Sequence, residues 1–229
     1  MKNIFFIITK KWLIMTVLIV LVLPLIIGAF VVSKTSSPKP EYCIVIDAGH
    51  GGRDGGAVGK VTGITESELN LQYALTLKTL CEEFGIGVIL TRKDMNGLYD
   101  DNATNKKRSE MEKRRGIINN SKADLMVSIH MNSFSLPSSK GAYVFYGKGS
   151  DTGFELAKSI QSSLCKGFDT ARKYVTVGDY FVLNYSNIPA ALVECGFLSN
   201  PEEEKLLATK EYREEFCYHL LDGILSYFN

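Results

Sequence analysis

Four residues of this 229-residue chain stand where chemistry could be done. His50 and His130 are two of only three histidines, and each follows an apolar run, Cys43-Ile44-Val45-Ile46 in one case and Leu125-Met126-Val127-Ser128-Ile129 in the other. A third run, Ala190-Ala191-Leu192-Val193, ends in Glu194. Glu66 opens the amphipathic stretch that follows the loop after His50. Two imidazoles and one carboxylate are the ligand set of several hydrolytic zinc sites, which leave the fourth position to water. Zinc polarises a scissile carbonyl and brings the pKa of its water near neutrality. A second carboxylate must then take the water's proton and hand it to the leaving amine. Glu194 fits that task, because Val193 and Cys195-Gly196-Phe197 give it partly apolar surroundings that raise a carboxyl pKa. Taken alone, Glu66 says less, since the macrodipole favours a carboxylate at any helix N-terminus. The set as a whole describes metal-assisted amide hydrolysis. His219, beside Tyr218 and Leu220 in a helical stretch, reads as a packing or surface residue. Arg92 and Arg114 could bind substrate carboxylates or simply pair with Asp and Glu on the surface.

The elements that must position these residues follow from periodicity. Strands are expected at 42–47, 86–90, 125–129, 141–146 and 190–193, with a short extended piece near 180–183 inside a long loop. Helices are expected at 66–84, 108–121, 152–166, 201–207 and 212–228. Thr65 caps the first helix, with Glu68 placed as in a capping box. Strands alternating with helices predict an α/β fold: a twisted, mostly parallel sheet of about six strands with helices on both faces. Ligands in such sheets gather outside the carboxyl ends of the strands, so His50, His130 and Glu194 can converge there. The glycines at 49, 51, 52, 55 and 56 let the chain turn sharply between His50 and Glu66.

Other readings of these stretches are weaker. Gly49-His50-Gly51-Gly52 resembles a phosphate cradle but lacks the lysine and serine of a P-loop. Cys195 could be a nucleophile, but no orienting partner can be named for it. The five cysteines are odd in number and show no CxxC spacing, so neither a disulfide framework nor a cysteine metal site is indicated. Lysine and arginine total 26 against 25 acidic residues, which gives no electrostatic case for nucleic acid. Residues 12–32 carry no charge and follow Lys2, Lys10 and Lys11. At about 1.5 Å rise per residue they are long enough to span a bilayer as a transmembrane helix. The lysines favour an inside N-terminus and an extracytoplasmic domain. The chain thus divides into an anchor or signal segment (1–33), a polar linker (34–41) and a folded domain (42–229).

The motifs then point to a family. Ile46-Asp47-Ala48-Gly49-His50-Gly51-Gly52, Glu66 with Asn70-Leu71, Ser128-Ile129-His130-Met131-Asn132, and Val193-Glu194-Cys195-Gly196-Phe197-Leu198-Ser199-Asn200 resemble zinc-dependent N-acetylmuramoyl-L-alanine amidases. The resemblance covers 42–229 and departs from the usual pattern at Ala48 and Cys195, neither of them a ligand position. It implies one zinc ion (Zn2+) held by His50, Glu66 and His130, with Glu194 as the catalytic glutamate. Arg92, Arg114 and Asn132 become the candidate substrate contacts. The implied reaction hydrolyses the amide between the lactyl group of N-acetylmuramic acid and L-alanine in peptidoglycan. The anchor, the lack of wall-binding repeats and Gly141-Ala142-Tyr143-Val144-Phe145-Tyr146-Gly147 resemble the germination-specific, CwlD-type branch of spore formers. That branch acts on spore cortex, between the forespore and mother-cell membranes, as a step towards muramic-δ-lactam. The alternatives are a vegetative wall amidase, a zinc peptidase with another substrate class, or a wall-binding module without chemistry. No amphipathic insertion lies between His130 and Glu194 to plug the site, so an activator protein that promotes zinc binding is a further expectation.

Overall fold

The chain order of the elements is β1 (Cys43–Ala48), α1 (Glu66–Glu83), β2 (Gly87–Leu90), α2 (Lys106–Asn120), β3 (Leu125–Asn132), β4 (Tyr143–Tyr146), α3 (Asp151–Gly167), β5 (Thr176–Val177), α4 (Phe181–Asn184), β6 (Ala190–Phe197), α5 (Pro201–Leu207) and α6 (Lys210–Phe228). The apolar runs of the sequence become the central strands, because only a strand covered on both faces can bury so continuous a run. The six strands form one sheet in the order β2-β1-β3-β6-β4-β5. β1, β2, β3 and β6 pair in parallel, whereas β4 runs antiparallel to β6 and carries β5 in parallel with itself.

Alternation along the strands decides what each face carries. Ile44 and Ile46 of β1, Val127 and Ile129 of β3, and Val193 and Cys195 of β6 join the larger core with α1, α3 and α6. Val45, Met126, Ala190 and Leu192 face the other way, against Ile118 of α2 and Val182 and Leu183 of α4. Asp47, Ser128, His130 and Glu194 continue this second set at period two. The smaller core therefore turns polar at the carboxyl ends of the strands.

Several boundaries differ from expectation. β3 runs through His130 to Asn132 instead of stopping at Ile129, because a register shift between those two residues lets it keep pairing with β6 as far as Phe197. α2 starts at Lys106, before Arg108, because Asn105 Oδ1 accepts from Arg108 N–H at 2.9 Å and caps it. The piece near 180–183 is a helical turn, α4, and a two-residue strand precedes it; elements this short carry no readable period. The Thr65 cap is present, with its hydroxyl accepting from Glu68 N–H at 3.3 Å.

This computed structural model describes residues 40–229 together with Met15, Ile19 and Val20. Pro40–Asn229 form one compact unit. Among the described residues no helix is long and apolar enough to cross a membrane. Apart from those three residues, the expected anchor at 12–32 lies outside the described residues, as does the linker at 34–39.

Candidate metal centre

His50 leaves β1 in a left-handed conformation, φ +58°, which is costly for a residue with a side chain. Its loop is held from below by two buried arginines. Arg114 donates from Nη1 to Ala48 O at 2.7 Å and from Nη2 to His50 O at 2.5 Å. Arg92 donates to Ala48 O and Gly49 O, both at 3.0 Å, to Ser67 O at 2.6 Å and to Asp94 O at 2.8 Å. Asp47 completes the frame by accepting from Arg114, Thr91 and Ser128. Burial alone would raise the Asp47 carboxyl, but the Arg114 guanidinium and the two hydroxyls hold it at about 2, so it stays ionised. Arg114 also binds Glu110, one helical turn earlier, at 2.7 Å.

Above this frame the ligand candidates meet. Glu66 Oε1 lies 3.0 Å from His50 Nε2 and 2.9 Å from His130 Nδ1. One donor atom from each of the three residues falls within 4.8 Å of the others. Glu66 Oε2 accepts from Ala57 N–H at 2.9 Å, which fixes the carboxylate across the loop. Although burial works against it, hydrogen bonds from both imidazoles hold the Glu66 carboxyl well below the usual carboxylate range. Gly49 lies against the His130 ring, and a Cβ there would run into the imidazole. This donor set fits a borderline cation such as zinc: two imidazole nitrogens and an ionised carboxylate oxygen, already converging.

Glu194 lies across the same cleft, in register with His130 on the neighbouring strand. Its Oε2 is buried without a hydrogen-bond partner. Burial pushes its carboxyl up to about 7; Glu66 adds to the rise, and the two histidines oppose it. A free, buried carboxylate aimed into a cleft is the expected form of a group whose partner arrives with the substrate.

The remaining sequence candidates divide. Asn132 lines the cleft, and its side-chain amide has no partner among the described residues. Arg92 and Arg114 are 3% and 1% exposed; the Arg92 donors and the Arg114 Nη groups are engaged by backbone carbonyls and carboxylates of the frame, while Arg114, which lines the cleft, keeps its Nε without a partner. Cys195 points into the larger core, where burial raises its thiol far above the ordinary value, which suits packing and not nucleophilic attack. His219 packs edge-on against Phe168, away from the cluster. The sequence reading missed Asp47, Asp54, Lys107 and Tyr180. Asp47 was detectable by the argument applied to Glu194, as a carboxylate ending an apolar run. Tyr180 lines the cleft with its ring against Phe145, and nothing in its local sequence marks it.

A mostly parallel α/β sheet with two imidazoles, two carboxylates and an open cleft at its strand ends has the form of a hydrolase. The sequence pattern of the N-acetylmuramoyl-L-alanine amidase family (amidase_3) matches residues 44–226, and the chain belongs to that family. It is 34% identical over 198 residues to the germination-specific N-acetylmuramoyl-L-alanine amidase of Bacillus subtilis strain 168, covering 84% of this chain and 82% of that one. Among solved structures it is similar to the CwlD amidase of Clostridioides difficile in complex with the GerS lipoprotein, with TM-score 0.79, 39% identity and coverage of 82% of this chain and 98% of that one. An N-acetylmuramoyl-L-alanine amidase from Clostridium difficile 630 superposes with TM-score 0.74 and 31% identity, covering 82% and 97%. The activity of this chain is accordingly that of an N-acetylmuramoyl-L-alanine amidase.

Two substitutions test the frame and its contact with the cluster without replacing a ligand candidate. Arg114→Lys removes the fork that bridges Asp47, His50 O and Glu110, and should destabilise the fold by about 3–5 kcal/mol in urea titration. Gly49→Ala should lower zinc affinity, measured by chelator competition, because its Cβ displaces the His130 ring.

Proposed function

We propose that this chain is a zinc-dependent amidase that strips stem peptides from spore cortex peptidoglycan, with His50, Glu66 and His130 as metal ligands and Glu194 as general base. The observation that carries the reading is the three-residue cluster facing an unpartnered, buried Glu194 across one cleft. When bound, zinc supplies Lewis acidity towards the scissile carbonyl and the attacking water. Glu194 takes the proton from that water as it attacks the lactyl carbonyl, then delivers it to the nitrogen of the departing L-alanine. Its raised pKa suits both halves of that exchange. Asn132 and Tyr180 line the same cleft and are proposed to orient the substrate amide.

Cortex as the substrate is supported by the similarity to the germination-specific amidase and to CwlD. The GerS lipoprotein is a partner of that CwlD, and a lipoprotein activator is proposed for this chain by analogy. A glycine loop that carries one of three ligands is a place where a partner can raise metal affinity by ordering the chain. The uncharged segment 12–32 supports tethering to a membrane, with the domain 42–229 acting outside the cytoplasm, between the forespore and mother-cell membranes.

Digestion of purified peptidoglycan, followed by mass analysis of the products, tests the reaction. Stem peptides with free N-terminal alanine and glycan with intact lactyl groups are expected, and a chelator should abolish both. Ends within the peptide would instead indicate a peptidase. Glu194→Gln should keep zinc and abolish release. It should also stabilise the metal-free protein at pH 8. The folded pKa of about 7 lies above the ordinary 4.5, so the cost of ionising the buried carboxyl is absent below about pH 4.5 and complete above about 7. That cost is on the order of 3 kcal/mol, and thermal melts of both proteins at pH 4.5 and pH 8 should show a difference only at the higher pH.

A further inference from the structure

Of the three ligand candidates, His50 is the least secured by its own backbone. Glu66 sits in the first turn of α1, and His130 lies within a central strand with its ring against Gly49. His50 stands outside β1, in a left-handed conformation within a glycine-rich loop. On the far side from Glu66 its ring meets a second carboxylate. Asp54 Oδ1 lies 2.9 Å from His50 Nδ1, while Glu66 Oε1 lies 3.0 Å from Nε2, so the imidazole is held between two carboxylates. Nδ1 is buried, and its N–H is not aligned on Oδ1; it has no other partner among the described residues.

Asp54 is itself fixed from three directions. Its backbone pairs with Gly51 both ways, at 2.8 Å and 3.1 Å, closing the loop on itself. Its Oδ1 accepts from Gly56 N–H at 3.2 Å. Its Oδ2 is paired with the Lys107 ammonium, which comes from the first turn of α2. Three basic residues, Lys106, Lys107 and Arg108, open that helix, and its first turn holds no acidic residue. Cations at a helix N-terminus oppose the macrodipole, so the position of Lys107 is not explained by helix stability.

We propose that Asp54 is a positioning residue for His50, holding the Nδ1–H tautomer so that the Nε2 lone pair faces the metal, and that Lys107 holds Asp54 in place for this task. The inference rests on the metal reading of the cluster and goes beyond it, because Asp54 itself is no ligand: the converging donor atoms are those of His50, Glu66 and His130 alone. A metal-bound histidine commonly donates its second N–H to a carboxylate, which fixes the tautomer and raises the ligand's basicity. Lys107 and Asp54 make a half-exposed pair worth little to stability, which separates a role in orientation from a role in folding.

The test uses the full chain and the variants Asp54→Asn and Lys107→Met. Zinc affinity is read by chelator competition, histidine tautomers by ¹⁵N NMR of the zinc-loaded protein, and stability by melting of the metal-free protein. Asp54→Asn should weaken zinc binding by roughly 10–100-fold and shift the His50 ring nitrogen signals, with the metal-free melting temperature unchanged. Lys107→Met should weaken zinc binding in the same direction by a smaller factor. Wild-type zinc affinity in both variants overturns the proposal. So does an affinity loss matched by an equal loss of metal-free stability, which makes Asp54 a loop-folding residue; if Asp54→Asn does not fold, the Lys107→Met affinity decides. Failure of the wild-type chain to bind zinc would overturn the metal reading itself and the inference with it.

Discussion

The site depends on how the chain leaves β1. A strand that ends in a sharp loop strands its last carbonyls inside the protein, and buried carbonyls must be satisfied. Here Ala48 O, Gly49 O and His50 O are taken up by Arg92 and Arg114. Two buried guanidinium groups so close to each other need counter-charge, and Asp47 and Glu110 supply it to Arg114. Arg92 has only carbonyl acceptors, and burial together with the nearby Arg114 lowers its pKa to about 10. The fork geometry of arginine is what allows one side chain to bridge several oxygens, and a lysine has no equivalent. The left-handed His50 is tolerated because this frame determines the backbone on both sides of it.

The same strand ends carry an electrostatic division. Asp47 and Glu66 are ionised because each meets cations or donors, Arg114 below and the imidazoles above. Glu194, on the adjoining strand, has a buried Oε2 with no hydrogen-bond partner, and burial leaves it with a raised pKa although the two histidines oppose the rise. Three carboxylates within one small region are thus set to different protonation behaviour by their contacts, which is how one site can hold a cation and move a proton. A buried carboxyl oxygen without a partner at the edge of a cleft does nothing for the fold, which is an argument for function.

Much of this was legible in the sequence. Continuous apolar runs marked β1, β3 and β6, and the helix expected at 201–207 has those bounds, with Pro201 opening it and Asn200 capping it. The ligand candidates were legible because each follows such a run or opens a helix after one. The place of the arginines was not legible because sequence gives a charge but not its direction. Arg114 lies on a basic helix that looks solvated, and only the fold turns that one residue inward. The segment between α3 and β6 was opaque because its strand and helix are two and four residues long, held by tertiary contacts and not by local propensity.

Neighbouring residues of β6 show how far one rule carries the rest. Glu194 and Cys195 are adjacent, yet alternation sends one into the polar end of the smaller core and the other into the larger apolar core. The larger core, packed by α1, α3 and α6, supplies the burial that keeps the sheet together. The smaller one, covered by α2 and the short α4, is free to open into a cleft at its polar end. Stability and chemistry are thereby assigned to opposite faces of the same three strands. A slip of one residue of β6 against β3 would invert β6 alone, turning Glu194 into the apolar core and Val193 towards the cleft while His130 stayed where it is. The buried hydrophobic pattern that stabilises the fold is therefore also what fixes the register of the site.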